Sequence, residues 1–239
     1  MPHESLIYPG MPPRRFFQKS GDSQGPPLVA VDLVVFTVDE KRLQALLVQV
    51  KEGPFAGMWA FPGGLVPPEE SLDEAAQREL RERTGLKNVY LEQLYTFGRP
   101  ERDPAMRVVS VSYLALLPHR KVRLLHADKY AGIKWSPATA LRSLAYDHNQ
   151  VARLALQRLH AKLQYTNVAF SLLPSEFTLG ELQEIYEIIL QRTLDRRNFR
   201  KKILALGLLT PLKKVRRGAH RPASLYTFKE KRPMVVEML

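Results

Sequence analysis

Runs of β-branched residues and stretches of helical spacing follow one another along this chain in an order that predicts two structural units. Leu28 to Val38 reads LVAVDLVVFTV, the density of a strand, and a turn at Asp39-Glu40-Lys41 leads to a second strand from Leu43 to Val50. Gly and Pro punctuate Gly53 to Pro68, so that stretch reads as a functional loop rather than an element. Ser71 with Glu74 three residues on forms a capping box, Leu72, Ala75, Ala76 and Leu80 supply a buried face, and Gly85 ends the helix. Strands are expected at Val89 to Thr96 and Arg107 to Leu117. Trp135-Ser136-Pro137 and a short helix come next, then a longer helix from about Asp147 to Leu163. Strands mixed with flanking helices indicate an α/β (α+β) first unit.

Tyr165 to Pro174 reads as a joint. Beyond it Thr178 and Glu181 repeat the capping-box pattern, and Asp195 caps a second helix whose Phe199 and Ile203 face inward and which Gly207 stops. Two extended pieces, Leu208 to Leu212 and Ser224 to Phe228, flank a basic loop. Helix, turn, helix and basic hairpin is the layout of a winged helix. The expected organisation is a flexible lead-in over 1–27, a first domain over 28–164 and a winged helix-turn-helix domain over 165–239.

Charge sharpens this division. The chain of 239 residues carries a net charge of +12, and the segment from Arg192 to Arg232 holds 14 Lys or Arg against Asp195 and Glu230. That segment therefore carries the whole excess, and the rest balances. Such a cluster attracts a polyanion, because neutralising phosphates releases condensed counterions. There are no cysteines, which excludes disulfides, thiolate metal sites and thiol nucleophiles. No apolar run approaches the roughly 18 residues of a membrane span, and the N-terminus lacks the apolar core of a signal peptide. A cytoplasmic protein with no membrane partner is expected.

The most specific pattern is Gly64 to Leu86, GLVPPEESLDEAAQRELRERTGL. It resembles the Nudix box at Gly64, Glu70, Arg78, Glu79, Leu80, Glu82, Gly85 and Leu86, and the resemblance implies an α/β/α sandwich whose helix carboxylates hold Mg²⁺ against a nucleoside diphosphate linked to another group. The spacing suits that chemistry. Residues three or four apart share a helix face, and clustered carboxylates are costly without a hard cation. Glu79 and Glu82 are the candidate metal ligands and vestigial catalytic residues, with Glu70 and Arg78 as structural partners. Arg83, however, stands where the box has a further metal-binding Glu. A fixed cation about 5 Å from Mg²⁺ costs on the order of 6 kcal/mol at an effective dielectric of about 20, less if the long side chain swings aside. Even about a third of that weakens the metal more than tenfold. Hydrolysis is expected to be weak or absent, with the pocket retained to bind a nucleotide uncleaved.

Candidate ligand-binding residues surround this helix. Lys51, Phe55 and Trp59 precede Pro62-Gly63-Gly64; an aromatic can stack on a base or fill the core, and a cation can meet a phosphate. Trp59 suits the core as well as a ligand. Arg99, Arg102 and Arg107 lie in and beside one loop, which suits a pyrophosphate or merely a solvated loop. In the basic domain, Arg196, Arg197, Asn198, Arg200, Lys201 and Lys202 sit on the second helix, where Arg and Asn can contact guanine and adenine edges in the major groove. Lys213, Lys214, Arg216, Arg217, His220 and Arg221 would form the wing, reaching phosphates or the minor groove.

The whole arrangement resembles the Nudix-related transcriptional regulators of NAD metabolism, the NrtR family. Four stretches carry the likeness: the altered box, Phe177-Thr178-Leu179-x-Glu181-Leu182, Arg197-Asn198-Phe199-Arg200-Lys201-Lys202 and Arg221-Pro222-Ala223-x-Leu225-Tyr226. It implies a homodimeric repressor of NAD-biosynthesis genes that binds an inverted repeat in double-stranded operator DNA and releases it on binding ADP-ribose, which acts as effector rather than cofactor. Two alternatives stay open. Retained Glu79 and Glu82 allow an active Mg-dependent ADP-ribose pyrophosphatase with an accessory nucleic-acid-binding domain, and basic charge alone allows a Nudix enzyme acting on RNA.

Overall fold

The computed structural model describes residues 26–87, 89–118, 124, 129–217 and 222–238. The lead-in expected over 1–27 lies outside them apart from Pro26 and Pro27, as do His220 and Arg221 of the expected wing.

Strand β1 (Leu28–Asp39) is buried along most of its length and runs parallel to β6 (Val108–Leu116), with Leu28 opposite Val108 and Phe36 opposite Leu116. A strand covered on both faces needs apolar residues at every position, which is why its sequence is a near-continuous apolar run. Alternate residues go to opposite faces. Val31, Leu33 and Val35 pack with Ala75, Ala76 and Leu80 of α1 (Leu72–Thr84), whereas Val34 and Phe36 pack on the side of α2 (His148–Tyr165). The result is a sheet between two helical layers. β2 (Arg42–Val50) joins β1 through a tight turn in which Glu40 and Lys41 have φ of 46° and 57°, the left-handed pair that matches strand twist. β5 (Tyr90–Phe97) lies antiparallel on the far side of β6.

Two expectations need correction here. The Gly53 to Pro68 stretch is not loop throughout: β3 (Trp59–Ala60) pairs with β2, and β4 (Gly63–Leu65) pairs with β1. Between the expected Arg107 to Leu117 strand and the short helix lies a full strand, β7 (Tyr130–Pro137), antiparallel to β2. It is only partly buried, so its sequence, YAGIKWSP, carries no clean alternation.

The second unit begins with β8 (Phe177–Thr178) and continues through α3 (Leu179–Leu190), α4 (Arg196–Ala205), β9 (Leu209–Arg216) and β10 (Ala223–Phe228), the strands forming a sheet in the order β8-β10-β9. Both capping boxes form, with Ser71 and Thr178 each bonded reciprocally to the Glu three residues on. Asp195 Oδ1 accepts the Asn198 N–H at 2.8 Å, and Gly85 closes α1 with a left-handed φ of 68°.

The joint between the units is packed. Val168–Leu172 is a buried 3-10 turn, and one continuous hydrophobic cluster runs from Phe36, Leu43 and Leu47 through α2 to Leu182, Tyr186 and Phe199. The C-terminal segment reinforces it: Val236 and Met238 donate backbone hydrogen bonds to Tyr165 and Gln164 at 2.9 and 2.8 Å, and Met234 N–H reaches Asn167 Oδ1 at 2.7 Å. The two units therefore share a core.

Candidate functional site

Residues 76, 79, 80 and 83 share one face of α1 through their i, i+3, i+4 and i+7 spacing, and Ala76, Glu79, Leu80 and Arg83 are all buried. A buried carboxylate must be matched, and Glu79 is matched three times over. Its Oε1 accepts from Arg78 Nη1 at 3.1 Å and Lys129 Nζ at 2.8 Å, and its Oε2 accepts from Arg83 Nη2 at 3.2 Å. Arg83 also donates to Glu82 at 3.3 Å and lies 4.8 Å from the centre of the Tyr130 ring. At 2% exposure it lies across the carboxylate cluster, where its charge opposes a metal at Glu79 and Glu82. Arg78 clamps Glu70 through Nε at 2.9 and 3.0 Å, holding the loop before α1, and that hydrogen bonding raises the already high pKa of the guanidinium.

These residues do not fit Mg²⁺. Both oxygens of Glu79 already receive cationic donors, and among the described residues no three His, Cys, Asp or Glu side chains are grouped so as to hold a metal ion. Gly64 explains the closeness of the loop to the helix. A Cβ there would lie 2.5 Å from Glu79 Oε1 and 2.9 Å from Lys129 Nζ, so any larger residue would have to shift the ends of those side chains.

The other expected ligand residues separate. Phe55 packs on Tyr146 with ring centres 4.5 Å apart, and half-buried Trp59 has the Lys134 ammonium 3.8 Å above its ring. Lys51 and Arg99 are exposed, and Arg107 donates to the Val108 carbonyl at 3.2 Å. Arg102 departs from the expectation of a ligand contact. It is buried, with Nη2 at 3.0 Å from Asp32 Oδ2 and 2.9 Å from Asp147 Oδ1, and Nε at 3.1 Å from Asp147 Oδ2. Its guanidinium holds the fold together. Burial opposes ionisation of Asp32, yet His148, Arg102 and Ser110 together hold its pKa well below the ordinary carboxylate range. His148 Nδ1 accepts the Phe61 N–H at 3.0 Å, and Nε2 faces Asp32 at 3.4 Å. The start of α2 is thereby tied to Phe61, just before Gly63-Gly64, and to Asp32 of β1. Asp32 was visible as a lone carboxylate inside an apolar strand, which has to find a partner; nothing local marked Lys129, Tyr130, Asp147 or His148.

The second candidate site is a nucleic-acid interface. Phe199 and Ile203 anchor α4 inward, Phe199 edge-on to Tyr186 at 5.5 Å. Arg196, Arg197, Asn198, Arg200 and Lys201 are exposed and Lys202 is half-buried. Glu187 accepts from Leu194 N–H and Gln183 donates to Leu194 O, both at 2.9 Å, which fixes the turn between α3 and α4. Lys213, Lys214 and Arg216 lie on β9 rather than in the loop, and Arg217 follows it. Lys214 pairs with Glu176 at 2.7 Å, and Arg216 pairs with Glu181 while donating to the Glu176 carbonyl at 3.2 Å.

Residues 26–159 match the model of the NUDIX domain and residues 169–228 that of the NrtR DNA-binding winged helix domain. The ADPR responsive transcriptional repressor NtrR of Acinetobacter baylyi is 38% identical over 84% of this chain and 82% of its own length. The crystal structure of Shewanella oneidensis NrtR complexed with a 27mer DNA superposes with a TM-score of 0.76 at 35% identity, covering 84% of this chain and 93% of that one. The NUDIX domain of the same protein, in its cocrystal with ADP ribose, gives a TM-score of 0.52 at 34% identity over 59% of this chain and 94% of that one.

Proposed function

Since the chain belongs to the NrtR family, a Nudix domain joined to an NrtR-type winged helix, we propose that it is a transcriptional repressor of NAD-biosynthesis genes that binds operator DNA through α4 and the β9–β10 hairpin and releases it on binding ADP-ribose. The observation that carries this reading is Arg83, buried across Glu79 and Glu82 in a domain joined to an outward-facing basic helix. A carboxylate site closed by the chain's own cations is suited to holding a nucleotide rather than cleaving it. Exposed Arg196, Arg197, Asn198 and Arg200 supply donors for base edges and phosphates in the major groove, and Lys213, Lys214 and Arg217 supply phosphate contacts beside them. Lys51, Phe55, Trp59, Gly64, Arg99 and Arg107 remain the candidates around the effector. A homodimer in the cytoplasm reading an inverted repeat follows from the same reading, since half-sites spaced by a helical turn demand two recognition helices.

Fluorescence anisotropy with labelled duplexes from the protein's own promoter region tests it. The full chain should bind a specific duplex in preference to a scrambled one, and ADP-ribose should release it. A complex that survives saturating ADP-ribose contradicts the sensor role. Efficient cleavage of ADP-ribose with Mg²⁺, abolished by Glu79→Gln, would instead favour the pyrophosphatase alternative that the retained carboxylates permit.

A further inference from the structure

The cations around Glu79 differ in their access to solvent. Arg83 is 2% exposed and Arg78 24%, whereas Lys129 keeps 37% of its side chain exposed. Lys129 reaches the helix from 50 positions away in the sequence, places Nζ 2.8 Å from Glu79 Oε1 and lies 5.2 Å from the centre of the Tyr130 ring. It is thus held at the inner end of the box by a buried carboxylate and an aromatic face, while its ammonium has three donors and gives one to Glu79. The side chains in mutual contact here, Glu70, Glu79 and Glu82 with Arg78, Arg83 and Lys129, sum to zero charge. A divalent cation entering this cluster would have to displace a donor from each Glu79 oxygen. A diphosphate approaching from solvent meets an ammonium already oriented.

We infer that Lys129 is a tethered cation that takes the place of the divalent metal, its ammonium bridging buried Glu79 and the diphosphate of a nucleoside-diphosphate sugar, so that this site binds its ligand without metal. The geometry accounts for three features together: the glycine at position 64, where any side chain would strike both Glu79 and Lys129; the burial of Arg83, which neutralises the second oxygen of Glu79; and the retention of Glu79 itself, which serves as the anchor of the lysine rather than as a metal ligand. The inference rests on the sensor reading for the identity of the nucleotide, but not for the absence of a metal.

Calorimetric titration of the full chain with ADP-ribose, in EDTA and in Mg²⁺, tests it, with inorganic pyrophosphate as a second probe. Affinity for ADP-ribose should be the same in both buffers. Lys129→Met should weaken it about tenfold or more, the scale of one charge-assisted hydrogen bond, and Lys129→Arg should restore most of it. Lys129→Gln is measured beside the Met variant so that at least one neutral variant with a wild-type melting temperature is read. The wild-type chain should not bind Mn²⁺ in a paramagnetic titration, because both Glu79 oxygens are occupied. Binding of ADP-ribose only in Mg²⁺, or unchanged affinity in the neutral variants, overturns the lysine while leaving the effector reading intact. Pyrophosphate binding in EDTA that depends on Lys129, with no ADP-ribose binding at all, overturns the effector and supports the lysine. Failure of both probes overturns both.

Discussion

Helices α1 and α4 both carry clustered arginines, and they put them to opposite uses. On α4, Phe199 and Ile203 stand four residues apart and pack inward, whereas Arg197 and Arg200 point away from them and Arg196, the first residue of the helix, stays in solvent at its open end. The N-cap Asp195 is the acid beside them, and its side chain is bonded to the Asn198 N–H. On α1, Arg83 falls on the same face as Ala76 and Leu80, one turn beyond Glu79, and the helix packs that face inward. A guanidinium so placed must bring its counter-charges with it. The same residue type thus becomes a probe for polyanions on one helix and an internal counter-ion on the other. What separates the two fates is position and partners: Arg83 lies in the last turn of a helix packed on the sheet with Glu79 four residues before it, whereas Arg196 opens α4 and none of the three arginines has a carboxylate four residues before it.

The largest effect should come from the outward set. Replacing Arg196, Arg197 and Arg200 together by Ala should lower affinity for a specific duplex on the order of a thousandfold at moderate salt and flatten its salt dependence by about three contacts. The melting temperature should hardly change. Anisotropy titrations across a salt series read both quantities, and a variant that kept wild-type affinity would remove α4 from the interface. The inward arginines should behave in reverse. Arg102→Met leaves Asp32 and Asp147 buried without their cation and should cost about 3–5 kcal/mol in urea unfolding. Because Asp32 titrates lower folded than unfolded, its contribution is complete above the unfolded carboxylate value and is lost as pH falls through the folded one. The stability gap between the wild type and Asp32→Asn should therefore narrow on acidification. A gap that widens would mean that Asp32 is not held ionised by its neighbours.

Arg83→Glu comes next in size. It removes one guanidinium from Glu79 and Glu82 and sets a third carboxylate beside them, so it should destabilise the fold by about 1–3 kcal/mol without added metal. Mg²⁺ should recover part of that loss, by mass action on the folded state. Thermal melts with and without Mg²⁺ read the change. Equal response of wild type and variant to Mg²⁺ would show that Arg83 is not what closes the site.

Much of this comparison was legible in the sequence because it is local. The capping boxes at Ser71 and Thr178, the Asp195 cap, the β1–β2 hairpin and the anchors Phe199 and Ile203 each depend on residues within four positions of one another, and the structure has them all. What escaped was non-local or half-buried. Lys129 meets Glu79 across 50 residues, and Arg102 meets Asp32 across 70. No spacing rule reaches that far, so Arg102 read as a loop cation. β7 escaped because a partly buried strand carrying Gly132 and Lys134 shows neither continuous apolarity nor alternation. The packed joint escaped for a different reason: the apolar face of β2 that meets α3 looks the same whether it covers its own domain or the next.

That shared core sets the smallest and most informative prediction. Inward and outward arginines lie on different units, and a sensor must connect them through an element whose two arrangements bind the effector unequally. Among the described residues two routes join the units. One is α2, tied at its start through Asp147 and His148 to Arg102 and to Phe61 just before Gly63, and at its end through Tyr165 to the C-terminal segment. The other is the seam where Leu43, Ala45 and Leu47 of β2 join the cluster of Leu182, Ile185 and Tyr186 of α3. The coupling between the proposed effector and DNA should be reciprocal: ADP-ribose should weaken duplex binding by some factor in the range of about 5–150, and saturating duplex should weaken ADP-ribose binding by the same factor. Measuring both constants in one buffer gives the two factors independently. Ile185→Val, which removes one methylene from the seam and touches neither site, should cost about 0.5–1.5 kcal/mol of stability and reduce the factor while leaving each ligand's affinity for the otherwise free protein nearly unchanged. If the factor is unaltered in that variant, the seam carries no signal and α2 is the route. A factor of one in the wild type would mean that ADP-ribose and DNA do not act on a common pair of states.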